Sequence, residues 1–255
     1  MGIENALRFT LVLVRVGAVF AFLPVMGDRN VPATVKLFLV LALGIALYPV
    51  VNPELPDVQM ASVPLVLMSV AELLYGALIG LAASVIFSSI RISGEFLGRN
   101  IGMAMAIGVD PLSGARTTVI GNFCNAVGVL VFFAMDGHHM MIRALRESFS
   151  FWPLGKFLDP QIGRQVAVEA VGQSFAIALQ LAAPLLIMTF TMTLIMALMA
   201  RLAPAINVMT FGFALRITIG LLGLALFTPV LVQYSGEVIR TMAWFIQGLT
   251  TGGPA

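Results

Sequence analysis

Seven charged side chains stand within or beside apolar stretches of this chain: Arg15, Glu72, Glu95, Arg99, Glu169, Arg201 and Arg216. A charge at the centre of an apolar helix costs roughly 2.5–3.5 kcal/mol on insertion scales, so such residues face a partner, a cavity or a substrate path. Glu95 and Arg99 lie four residues apart in the Glu-to-Arg order that suits pairing on one helix face, and a structural intrahelical pair is expected. Glu72 has no cation three or four residues away and needs a partner from another helix or another chain. A second chemistry stays open: Glu72, Glu95 and Arg99 as the proton- or substrate-coupling groups of a secondary transporter, which would carry inverted internal repeats. No counterpart of residues 63–114 is evident in the second half.

Other reactive groups are few. His138 and His139 follow Asp136-Gly137, but no further histidine and only one cysteine exist to complete a structural metal set. No metal and no cofactor are expected. Cys124 lies in an apolar run, where a small buried hydrophobe is its ordinary role. The chain carries no H-E-x-x-H, G-x-S-x-G or G-x-x-x-x-G-K-[ST] pattern, so hydrolysis and nucleotide-driven pumping lack their residues and no enzyme is expected.

The elements that hold these groups follow from composition. In 255 residues, 60% are hydrophobic and 10% charged, against about 45–50% and 25% in soluble domains, and the mean hydropathy is +1.02. The expectation is an all-α integral membrane protein, one unit over residues 1–255, in contact with membrane lipid. The net charge of +2 is spread along the chain, which leaves no basic stripe for nucleic acid. Arg15 interrupts the run Leu11–Val25 and no A-x-A site follows it, so the first helix is expected to be retained.

Charge-free runs at 37–53, 73–90, 117–135, 170–200 and 217–236, with the N-terminal run, give six candidate spans. A span takes about 20 residues. The second run meets Pro49 early, and 170–200 is overlong and contains Pro184, which predicts a kinked or tilted helix or one continuing beyond the bilayer. Lys and Arg divide six and six between alternate connections, so charge asymmetry assigns no orientation.

Glycines recur at four-residue spacing: Gly76 and Gly80, then Gly94, Gly98 and Gly102. Such spacing lets backbones approach closely and predicts tight helix packing, within the chain or between chains. Beyond Gly102 comes Ile107-Gly108-Val109-Asp110-Pro111-Leu112-Ser113-Gly114. Pro111 keeps Asp110 out of the helical region, which predicts a non-helical loop between two membrane-grade helices. Irregular backbone at membrane depth is tolerated only where protein or a water-filled cavity satisfies it; a surface turn is the other reading.

Three passages now carry a resemblance: Pro24-Val-Met-Gly-Asp-Arg-Asn-Val-Pro32, Val109-Asp-Pro-Leu-Ser-Gly-Ala-Arg-Thr-Thr-Val119, and Arg201 to Phe213. With Asp136-Gly-His-His139 and Phe151-Trp-Pro-Leu-Gly155, they resemble, in order and spacing, the FliR/SctT family of type III secretion export-gate subunits. Asp136 departs from the family's usual Asn, and Ala214 stands where proline is frequent. The Asp-Pro-x-Ser-Gly loop favours the flagellar branch over its injectisome counterpart.

The resemblance implies tilted helical hairpins in a hetero-oligomeric assembly in the bacterial inner membrane, at the flagellar basal body. Partners would be FliP, FliQ and FlhB homologues and unfolded export substrates. It also implies a pore plug at about 106–119, with Ile107, Val109, Pro111 and Leu112 as apolar contacts, Gly108 and Gly114 as hinges, and Asp110 and Ser113 as polar anchors.

Overall fold

A computed structural model describes residues 3–24, 31–51, 64–101, 118–157, 159–202 and 208–251. Seven helices lie among them: α1 (Ile3–Phe22), α2 (Ala33–Val51), α3 (Pro64–Asn100), α4 (Val119–Ala134), α5 (Gly137–Phe151), α6 (Pro160–Leu202) and α7 (Val208–Thr251). The described residues are helical throughout apart from short turns, so the chain is an all-α membrane protein. Helices α1, α2, α3, α6 and α7 are long and apolar enough to cross a membrane, and a sixth span results if α4 and α5 count as one broken span.

Charge-free runs locate the helices and shorten them. Helix α3 continues back through Glu72 and on through Arg91, Glu95 and Arg99 to reach 37 residues, because Glu72 is buried with a partner while Arg91 and Arg99 are exposed. Helix α6 spans 43 residues and passes through Pro184 without ending. Helix α7 spans 44 and includes Pro229. Hydroxyls along α6 fold back on their own helix: Thr189 donates to Leu186 O, Thr191 to Ile187 O and Thr193 to Thr189 O, so an apolar helix carries threonines without unmet donors.

Helix α5 lies outside every charge-free run. Its sequence GHHMMIRALRESFSF buries Met141, Ala144, Leu145, Ser148 and Phe149 and exposes His139, Arg143, Arg146 and Glu147, an amphipathic 3.6 pattern. It starts where Asp136 takes a left-handed conformation, φ 56°. It ends at Trp152, which Pro153 keeps out of the helical region.

The chain forms two compact units. The first comprises Met1–Phe87, Asp136–Gln173 and Ile239–Ala255; the second comprises Ser88–Met135 and Ser174–Val238. In the first unit α1 packs against α2, and α2 reaches α5. The Tyr48 hydroxyl donates to Asn5 O at 3.1 Å and its ring meets Phe9 edge-on at 5.4 Å. Leu11, Val12, Val16 and Val19 of α1 and Tyr75, Ile79 and Ala83 of α3 are buried here. Gly76 and Gly80 let α3 meet the α1 backbone: a Cβ on Gly76 would lie 2.5 Å from Arg15 O, and one on Gly80 2.7 Å from Val19 O.

In the second unit the α6 segment runs antiparallel to the α7 segment, with Met196 beside Gly212, Thr193 beside Arg216 and Met188 beside Gly223. Phe96 of α3 meets Phe175 of α6 edge-on at 6.1 Å, and Ile101 packs on Gly220. Gly212 and Gly223 face side-chain ends rather than backbone. Met196 can swing aside; a carbonyl on a packed helix cannot.

That contrast sets an expectation. Gly76→Ala should destabilise the protein by about 1–3 kcal/mol, the range for overpacking, and Gly80→Leu should prevent α1 from seating. Gly212→Ala, opposed by the flexible Met196, should change stability far less. Thermal unfolding in mild detergent measures the difference; equal losses at 76 and 212 would remove the backbone-contact argument.

Candidate functional site

Two polar constellations organise the described residues, one in each unit. In the first unit, Arg15 and Glu72 are both 0% exposed and pair Nε to Oε2 at 2.6 Å. The other guanidinium nitrogens reach α5: Nη1 donates to Ser148 O at 3.0 Å and Nη2 to Trp152 O at 2.9 Å. Those carbonyls lie at the C-terminal end of α5, where the helix dipole favours a cation; Ser148 O also accepts from Trp152 N at 2.9 Å. The guanidinium carbon also sits 4.4 Å from the Phe149 ring centroid and 5.3 Å from that of Tyr75. Tyr75 packs on Trp152 at 4.4 Å between centroids.

Glu72 is engaged at both oxygens. Oε2 takes Arg15, and Oε1 accepts from Gly155 N at 3.0 Å. Gly155 has φ 79°, a conformation an L side chain rarely adopts, in the turn that Trp152-Pro153 opens. One ion pair thus ties α1, α3, the end of α5 and the turn after it. A carboxylate held this way, with each oxygen accepting a hydrogen bond, serves as an anchor.

In the second unit the constellation lies at the start of α4. Thr118 is its N-cap, accepting from Gly121 N at 3.0 Å through Oγ1. The Thr118 N–H donates to Glu95 Oε1 at 2.9 Å, so a carboxylate from α3 sits at the positive end of α4. Glycines make the approach possible. A Cβ on Gly94 would lie 2.9 Å from the Gly121 Cα and 2.8 Å from Cys124 Sγ, and one on Gly98 would lie 2.6 Å from the Thr118 Cβ. Gly121 in turn leaves room for the Glu95 carboxylate. Glu95 Oε2 is shielded from solvent with no hydrogen-bond partner among the described residues.

The residues selected from sequence are therefore distributed as follows. Glu72 finds its partner in Arg15, 57 positions away. Glu95 caps α4 through Thr118 rather than pairing with Arg99, which is exposed in the last turn of α3. Gly76 and Gly80 face α1, and Gly94 and Gly98 face the start of α4. Gly102 and the stretch Ile107 to Gly114 lie outside the described residues. Sequence reasoning missed Ser148, Trp152, Gly155, Thr118 and Gly121. The available signal was complementarity: Arg15 and Glu72 are opposite charges in apolar helices, each lacking a local counter-ion.

Comparison with known proteins adds an independent line. The family described as bacterial export proteins, family 1, matches residues 6–242. A flagellar biosynthetic protein FliR of Pectobacterium carotovorum subsp. carotovorum is 30% identical over 232 residues, 89% of this chain and 87% of the relative. The FliR of Escherichia coli strain K12 is 29% identical over 243 residues, 93% and 92% of the two chains. That of Bacillus subtilis strain 168 is 27% identical over 215 residues, 83% and 82%.

The Arg15–Glu72 geometry predicts strong coupling. Arg15→Met or Glu72→Met alone should cost about 3–5 kcal/mol, because each strands a buried charge. The Arg15→Met/Glu72→Met double variant should recover much of the loss. Melting temperatures of the four proteins in detergent close the cycle; additive losses would mean that the pair contributes no mutual stabilisation.

Proposed function

The chain belongs to the bacterial export proteins, family 1, and on that premise we propose that it is a structural and gating subunit of the flagellar type III protein-export gate. At the coarser level it is a membrane-embedded subunit of the flagellar export apparatus. The finer reading gives it part of the pore wall and a plug at Ile107–Gly114 in the path of unfolded flagellar proteins. Residues 1–255 act as one gate unit in the inner membrane at the basal body, with FliP, FliQ and FlhB homologues as partners.

The observation that carries this reading is the anchorage of both residues flanking 102–117. Ile101 packs on Gly220 of α7, and Thr118 is held by Glu95 and by the close approach of Gly98. A plug requires such a firm base, since a segment that seals a path must transmit its seating to the wall. Helix length supports the partner assignment. At about 1.5 Å per residue α6 and α7 would each extend roughly 65 Å, twice the hydrocarbon thickness of about 30 Å. Phe175, Phe190, Leu194 and Leu198 of α6 and Leu222 and Leu226 of α7 are exposed in the isolated chain. Helices longer than the bilayer core carry apolar surface past it, which other subunits would cover.

Two measurements test the proposal. Deleting 107–114, or replacing it with a Gly/Ser linker, should raise ion leakage through the assembled gate; unchanged conductance would count against the plug. Extraction in mild detergent followed by native mass spectrometry should give a discrete hetero-oligomer with FliP and FliQ homologues. A monomer or homodimer, reproduced in several detergents, would overturn the gate assignment.

A further inference from the structure

The start of α5 holds three donor groups that neither constellation uses. Asp136 is the only non-glycine residue with positive φ among the described residues. An aspartate before a helix ordinarily lies in the β region and caps a backbone N–H of the first turn. Here φ is 56°, ψ is 32°, and the side chain makes no capping bond. Its Oδ1 lies instead 3.2 Å from Nδ1 of His139. The His138 ring packs on that of His139 with centroids 4.2 Å apart. One donor atom from each of Asp136, His138 and His139 falls within 4.8 Å of the other two.

We propose that Asp136, His138 and His139 form a binding site for a late first-row divalent cation, with Zn²⁺ as its representative and water completing the coordination. Bonds of about 2.0–2.2 Å to imidazole nitrogen and carboxylate oxygen place neighbouring donors roughly 2.9–3.5 Å apart around a tetrahedral or octahedral ion. The Asp136–His139 separation of 3.2 Å already has that value. A donor atom of His138 lies within 4.8 Å of both, and a side-chain rotation would bring it to the same ion. Two imidazoles and a carboxylate select zinc, copper or nickel over magnesium or calcium, whose sites are built of oxygen. Asp136 and His139 are exposed, so an ion has an open path to them. The carboxylate also offsets the unfavourable field that the positive end of α5 presents to a cation.

This reading explains the Asp136 conformation. Trading the usual cap for a left-handed backbone aims the carboxylate at the two imidazoles, and an ion bound there would join the residue before α5 to the helix's first turn. The site is built from four consecutive positions and two side-chain types that hold zinc when neutral or deprotonated. Neither the plug nor the partner assignments enter the argument, so the two readings fail separately.

The test uses the full chain, with any subunits that accompany it, purified in mild detergent through a tag free of histidine. Titration with zinc chloride against a chromophoric chelator should show one more zinc per chain in the parent protein than in His138→Ala/His139→Ala. Asp136→Asn should retain the site with affinity reduced by about tenfold or more. With Cu²⁺ as probe, electron paramagnetic resonance should show nitrogen coupling in the parent protein that the double variant lacks. Equal zinc stoichiometry and affinity in the parent and the double variant would overturn the proposal. Should the double variant fail circular dichroism and size-exclusion checks, His139→Gln alone serves: a tenfold weakening supports the site and an unchanged affinity refutes it.

Discussion

A fully buried guanidinium cannot remain unpaired in an apolar interior, and the first unit is arranged around meeting that requirement for Arg15. The residue needs a counter-charge and acceptors for its remaining N–H groups. Glu72 supplies the charge, and the end of α5 supplies two carbonyls: Trp152 O, and Ser148 O, which also accepts from Trp152 N. The exchange is mutual: the helix terminus is capped and the cation is solvated by protein. Glu72 then holds Gly155 through its other oxygen, fixing the turn beyond α5.

Glycine placement is the second constraint, and it acts with the first. Arg15 contributes its side chain to the ion pair and its backbone carbonyl to the surface against which Gly76 lies. Any side chain at 76 would lift α3 off α1 just one turn from Glu72. In the second unit the same economy recurs with different chemistry. Gly94, Gly98 and Gly121 bring α3 close enough to α4 for a carboxylate to cap a helix start.

Much of this was legible in the sequence. The all-helical membrane class and helix positions follow from hydropathy, because a bilayer imposes uniform demands on any spanning helix. The charge-free spans stop short of the helices at Glu72 and Arg216, since neither a buried charge with its counter-ion nor a half-buried one beside a hydroxyl ends a helix. Helix α5 was missed because its signal is periodic rather than apolar. Gly76, Gly80, Gly94 and Gly98 could be selected by spacing, but which backbone each meets is a tertiary fact. Glu95 shows the limit of local reasoning. Arg91 and Arg99 stand four residues to either side of it, yet a dry helix N-terminus offers a donor that solvent does not compete for, and the carboxylate goes there.

The Arg15 contacts also impose an order in time. Its counter-ion lies 57 residues later in the chain, and its carbonyl partners 133 and 137 residues later. At synthesis rates of about 5–20 residues per second, Glu72 trails Arg15 by roughly 3–11 s and Trp152 by roughly 7–27 s. Until Glu72 emerges the first helix carries a cation without its counter-ion, and until Trp152 emerges that cation lacks one of its acceptors. The segment made first is thus among the last to be secured, and α1 waits at the membrane for the chain that will neutralise it.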